Sequence, residues 1–226
     1  MSIEAAEKVR AIITGASGMV GEGVLHECLK SAEVEKVLVV GRRSCGVSHP
    51  KLTEIIQEDF FDLSAIANQL GGYNACFFCL GVSSTGVSNE EYKRLTYDLT
   101  MNFAETVLKE NPGMTFCYVS GSGTDSTEKG WLNWARVKGK TENDLMKLPF
   151  KRVYAFRPGF LKPTEGLKNA NVYYKYINWL YPVLKAVAAN YASTLEEFGL
   201  AMIKSVTRGY EKQIIEVADI IELSKR

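Results

Sequence analysis

Histidine is scarce in this sequence: His26 and His49 stand alone and offer no cluster that could ligate a metal. Charge of one sign is also lacking. Lys and Arg number 27 against 26 Asp and Glu, a formal net charge of +1, and the basic residues are scattered. Composition therefore gives no argument for nucleic acid or an anionic membrane as partner. No stretch approaches the roughly twenty apolar residues that cross a bilayer. Met1 to Arg10 carries four charged residues and no apolar core of signal-peptide length, so a cytosolic (cytoplasmic) protein is expected. The five cysteines are odd in number and mostly sit within apolar runs. Cys76 and Cys79 form a CxxC, but they lie in the apolar run Ala75-Cys76-Phe77-Phe78-Cys79-Leu80, a buried strand by its composition. Residues three apart on a strand face opposite ways, so these two read as core rather than as a redox or metal pair.

What is present is an ordinary globular composition, 46% hydrophobic and 23% charged, in 226 residues. That length suits one domain, 1–226, with a core at about 8–160 and a C-terminal substrate-cap segment at about 161–226. The organising stretch is Ile12-Ile13-Thr14-Gly15-Ala16-Ser17-Gly18-Met19-Val20-Gly21. A short apolar strand runs into glycines at 15, 18 and 21, then into a helical pattern of Val20, Val24, Leu25, Cys28 and Leu29. Glycines let the backbone approach a pyrophosphate, and the free N–H groups of a helix start receive it. The spacing is GxxGxxG.

Strand-like runs follow at Val37–Val40, Leu52–Gln57, Ala75–Leu80, Met114–Val119 and Arg152–Phe156. Between them, helices are expected at Ser64–Leu70, at about Glu90–Lys109 with Leu95, Leu99, Phe103 and Val107 on one face, and at about Asn133–Met146. Gly71-Gly72 and Asn111-Pro112-Gly113 are stop signals. This alternation means an α/β fold, a Rossmann-type, doubly wound parallel sheet with helices on both faces. Ligands on such sheets bind beyond the strands' carboxyl ends, which here are Gly15, Gly41-Arg42, Asp59, Gly81, Ser120 and Arg157-Pro158-Gly159. Beyond Leu161 the rhythm breaks. Tyr173, Tyr174, Tyr176, Trp179 and Tyr181 crowd one segment, expected as a lid or as core. A capping box at Ser193–Glu197 should start a helix reaching about Arg208, followed by a strand at Lys212–Val217 and a short helix capped by Asp219.

Arg42 stands 21 residues after Gly21, where an NAD-specific site would carry an acid for the ribose 2′-hydroxyl. Two arginines, Arg42 and Arg43, occupy that strand end instead. A guanidinium suits a 2′-phosphate, so NADP(H) is expected over NAD(H).

Taken in order, these motifs resemble the short-chain dehydrogenase/reductase superfamily, in its atypical epimerase-like branch that includes Tat-interacting-protein-like oxidoreductases. The matching residues are Thr14 to Gly21, Arg42-Arg43, Glu58-Asp59-Phe60, Leu80-Gly81, Tyr118-Val119-Ser120-Gly121, Lys138 and Arg157-Pro158-Gly159, spanning about residues 8–225. The resemblance implies that Ser17, Gly18, Met19 and Val20 surround the pyrophosphate and that Asp59 and Phe60 lie against the adenine. It implies that Leu80, Gly81 and Val82 line the nicotinamide-side ribose, that Lys138 bonds that ribose, and that Ser120 or Ser122 holds a substrate carbonyl. Phe156 to Phe160, including Pro158, would run beside the nicotinamide.

One position departs. The superfamily's proton-transferring tyrosine precedes the lysine by four residues, and here that residue is Trp134. An indole N–H donates a hydrogen bond but does not ionise usefully, so Trp134 can shape a pocket without acting as general acid. Three alternatives stay open. Asp125 or a tyrosine of the 173–181 cluster relays the proton, or water supplies it, or the protein binds cofactor without turnover. The expected function is thus an NADP(H)-binding oxidoreductase or epimerase-like protein acting on an unidentified small molecule, the alternative being a non-catalytic regulatory or interaction protein. A homodimer is compatible with either.

Overall fold

The computed structural model describes residues 7–169 and 191–226. Seven strands form one parallel sheet: β1 Val9–Thr14, β2 Val34–Gly41, β3 Leu52–Ile56, β4 Ala75–Phe78, β5 Thr115–Val119, β6 Arg152–Phe156 and, at the far edge, β9 Ile214–Ile215. Their spatial order is β3-β2-β1-β4-β5-β6-β9. A second, two-stranded sheet pairs β7 Phe160–Lys162 with β8 Ala192–Thr194. The helices are α1 Met19–Lys30, α2 Asn89–Lys93, α3 Leu99–Glu110, α4 Asn133–Leu145, α5 Leu195–Thr207 and α6 Val217–Leu223.

The sheet is apolar on both faces, and strand alternation divides the core in two. Ala11, Ile13, Val37, Val39, Phe77, Cys117 and Phe156 meet Val24 and Leu25 of α1 and Phe198 and Met202 of α5. Ile12, Leu38, Val40, Phe78, Phe116 and Tyr118 meet Phe103 and Val107 of α3 and Leu145 of α4. The CxxC obeys the same alternation: Cys76 is in the second cluster and Cys79 packs on the first.

Three expectations need correcting. The helix expected over Ser64–Leu70 is a single 3-10 turn, Ala67–Gln69. Leu63, Ile66 and Leu70 reach the core through turns, in a stretch too short to offset helix nucleation. The helix expected over Glu90–Lys109 is α2 and α3 joined by a π turn at Arg94–Asp98. That wider turn rotates the face, so Tyr92 and Thr96 are buried while Leu95 is only half-buried. The strand expected over Lys212–Val217 is limited to its two paired residues, Ile214–Ile215.

The expected cap divides as well. Residues 192–226 belong to the main body: α5 lies against the first core cluster, and β9 completes the sheet beside β6. Thr194 caps α5 reciprocally with Glu197, and Asp219 returns a bond to the Glu216 N–H at the start of α6. The aromatic segment 173–181 lies outside the described residues.

Candidate cofactor cleft and adjoining polar site

Strand order reverses between β1 and β4, and a groove opens beyond their carboxyl ends, where doubly wound sheets take ligands. Its floor is the glycine loop. Gly15 has φ +70°, and a Cβ there would fall 2.7 Å from the carbonyl of Cys79. A Cβ on Gly21 would fall 2.2 Å from the Gly15 oxygen, so α1 starts directly on the loop backbone. Gly18 is the N-cap of α1, with its N–H on the Gly15 carbonyl at 2.9 Å. The N–H groups of the first helical turn have no partner within the helix and face outward from the loop. Thr14 ties the two strands together at this point, its hydroxyl accepting the Leu80 N–H at 3.2 Å.

Two cavities share this groove. One of about 320 Å³ is lined by Gly15, Ala16, Ser17, Val39, Gly41, Arg42, Arg43 and Leu80. The other, of about 450 Å³, holds Asp59, Phe60, Gly81 and Val82. Arg42 and Leu80 line both. Both arginines are exposed, and neither has a carboxylate in ion-pair range among the described residues. Gly81 and Val82, expected on the nicotinamide side, line the same cavity as Asp59 and Phe60. Phe60 presents little surface, being buried on Phe103.

Sequence reasoning missed Phe61, Arg94, Leu95 and Leu99 in the larger cavity. The Arg94 guanidinium stacks over the Phe61 ring at 4.4 Å. A regular 3.6-residue period gives no sign of Arg94 or Leu95 there, because the π turn rotates them into place.

The second group of expected residues gathers at the carboxyl ends of β5 and β6. Lys138, on α4, donates to the main-chain oxygen of Ser120. Burial lowers its pKa to about 8, against the opposing pull of Glu142. Trp134, one turn earlier, packs 3.4 Å from where a Cβ on Gly123 would stand. Ser120 is buried, with its hydroxyl donating to the Phe156 carbonyl at 3.1 Å. The hydroxyl of Ser122 makes no hydrogen bond among the described residues, although its N–H holds the Pro158 carbonyl at 2.9 Å. Of the two serines, Ser122 is therefore the free one.

Asp125 is a correction to the proton-relay expectation. Its carboxylate accepts from the Thr127 hydroxyl at 2.6 Å and from the Gly130 N–H at 2.6 Å. These bonds, with others to the same loop, lower its pKa and keep it ionised, so it organises the loop and has no proton to give. Next to Lys138, Glu142 is fully buried and bound by Arg157, whose Nε donates at 3.0 Å.

A glycine-floored groove at the switch point of a parallel sheet defines a dinucleotide-binding protein of the Rossmann class. The family model "NAD dependent epimerase/dehydratase family" matches residues 11–127, and the chain belongs to that family. It is 28% identical over 214 residues to Protein FMP52, mitochondrial, of Candida glabrata, covering 91% of this chain and 88% of that one. It is 30% identical over 151 residues to Protein HTATIP2 of Rattus norvegicus, covering 66% and 61%. Among solved structures, MoeE5 in complex with UDP-glucose and NAD superposes with a TM-score of 0.65 at 15% identity, covering 95% of this chain and 80% of that one. The protein is thus an NAD(P)-binding, oxidoreductase-like member of the epimerase branch. The cytosolic expectation is overturned by the relatives, since FMP52 proteins of several yeasts carry "mitochondrial" in their names.

Proposed function

We propose that the protein binds NADP(H) along the β1–β4 groove and acts as an oxidoreductase or epimerase-like enzyme on a small molecule. The observation that carries the cofactor choice is Arg42, exposed, free of ion pairs among the described residues, and lining both cavities. The α1 N–H groups receive the pyrophosphate, Arg42 with Arg43 the 2′-phosphate, and Asp59 and Phe61 the adenosine end. The bound cofactor supplies or accepts hydride. Lys138 holds the ribose, and the free hydroxyl of Ser122 orients a substrate carbonyl beside Trp134. The mitochondrial relatives support a mitochondrial place of action.

Trp134 and the engaged Asp125 favour a second reading, a protein that binds NADP(H) without turnover. Titration with NADPH and NADH tests the cofactor assignment. NADPH is expected to bind more tightly by roughly 10- to 100-fold, the worth of one charge-assisted phosphate contact. That preference should shrink in Arg42→Ala. Equal affinities in the wild type contradict the assignment.

A further inference from the structure

Within the cofactor reading above, on which it rests, we propose that Lys138 is the proton donor of this site. Its ammonium protonates a carbonyl oxygen as hydride reaches the carbonyl carbon. Three observations carry this. The Nζ emerges at the carboxyl end of β5, bonded to the Ser120 oxygen and 3.9 Å from where a Cβ on Gly121 would stand. The unengaged Ser122 hydroxyl is on the same turn. Trp134 occupies the turn of α4 before it and cannot ionise.

The other candidate acids in the described residues are spent or sealed. Asp125 is an ionised loop anchor. Tyr118, on β5, is buried with its pKa raised by desolvation, and Tyr92 on α2 is buried beside it with its own pKa raised. Both stay neutral and out of reach of solvent.

Burial, rather than the neighbouring charges, makes the Lys138 ammonium readier to give up a proton. Glu142, one turn on along α4, is its anionic neighbour, but both oxygens of that carboxylate are held by Arg157, just after β6. Arg157 is further neutralised by Glu216 at 3.2 Å. Burial brings the Lys138 pKa down to about 8, and the Glu142 carboxylate, engaged by Arg157, only partly opposes that fall. A donor poised near the working pH transfers protons efficiently.

An N–H bond of Lys138 would break to form the O–H as the C=O π pair moves to oxygen and the carbonyl carbon accepts hydride, the chemistry that bound NADPH would supply. The amine left behind regains its proton from water. Val87 and Trp131, exposed on loops leaving β4 and β5, give that edge apolar surface. Apolar carbonyls are therefore the suitable probes.

The test uses the full chain and three readouts. Titration with NADPH checks the cofactor reading. Competitive acetylation with acetic anhydride across neutral and alkaline pH, read by peptide mass spectrometry, follows Lys138 itself. Oxidation of NADPH by 4-nitrobenzaldehyde, which needs an acid, is compared with oxidation by 9,10-phenanthrenequinone, whose reduced anion needs one much less. The expected Lys138 midpoint is about 8, with aldehyde reduction falling as pH rises through it. Lys138→Arg should lower aldehyde reduction roughly 100-fold more than it lowers quinone reduction, with both normalised to saturation by NADPH. Failure of the wild type to bind NADPH overturns the cofactor reading and this proposal with it. Normal NADPH binding overturns the proposal alone in any of three cases: an ordinary lysine midpoint near 10.4, full aldehyde reduction in Lys138→Arg, or no reduction of either probe by the wild type.

Discussion

At the scale of single residues, two charged clusters behave differently because of burial. Glu142 is completely enclosed, and its partner Arg157 keeps only 10% of its side chain exposed. Removing one half of such a pair strands the other in a medium that solvates it poorly. Glu142→Ala is expected to lower the unfolding free energy by about 3 kcal/mol, read from urea titration with an unchanged slope. Replacing both residues with apolar side chains of similar volume should recover most of that loss.

Asp144 sits nearer the surface. Burial alone would raise its pKa, but bonds from Lys140 at 2.7 Å, Lys147 at 2.6 Å and the Tyr97 hydroxyl at 2.7 Å hold it well below the usual carboxylate range. A carboxylate depressed in the folded state stabilises above its unfolded pKa of about 4 and loses that contribution as pH falls. Asp144→Asn should therefore be less stable than wild type at neutral pH. The gap should close below about pH 4, and urea midpoints measured at both pH values check it.

At the scale of elements, the glycine loop makes the sharpest distinction between positions that look alike in sequence. An alanine at position 21 would drive its Cβ to 2.2 Å from a main-chain oxygen, which no rotamer relieves. At position 18 the nearest atom is 3.4 Å away and φ is −108°, so a Cβ fits. Gly21→Ala should cost about 2 kcal/mol or more and weaken NADPH binding at least tenfold. Gly18→Ala should shift stability by less than about 1 kcal/mol, as thermal unfolding and NADPH titration of both variants will read.

The same contrast explains how much of the architecture was legible in the sequence. Strands and α1 announce themselves because a parallel strand buried on both faces is continuously apolar, as Val37 to Val40 is. The π turn at Arg94–Asp98 does not, because one extra residue in a helical turn leaves composition unchanged while rotating Arg94 and Leu95 into the larger cavity. The Ser64–Leu70 segment misleads for a related reason. Spacings of three and four between Leu63, Ile66 and Leu70 suit consecutive turns as well as a helix.

At the scale of the whole molecule, the parallel sheet brings the carboxyl ends of β1, β2, β4, β5 and β6 to one side. β1 and β4, neighbours in space but separated by β2 and β3 in sequence, open the groove for the dinucleotide. β5 and β6, with α4 across their ends, bring Ser120, Ser122, Trp134, Lys138 and Pro158 together. The sequence pointed to this side through its glycine and polar strand ends. It could not show that Asp125 was committed to its own loop or that Glu142 was committed to Arg157, since both depend on distances that spacing does not encode.

One groove is expected to carry the dinucleotide from the arginines after β2, across the glycine loop, to Lys138. A crystal structure of the protein soaked with NADP⁺ tests it most directly. The expected density places the 2′-phosphate on Arg42, the pyrophosphate over the loop from Gly15 to Val20, and the nicotinamide ribose within hydrogen-bond reach of the Lys138 ammonium. A dinucleotide bound anywhere else, or one whose nicotinamide end turns away from Lys138, would contradict it.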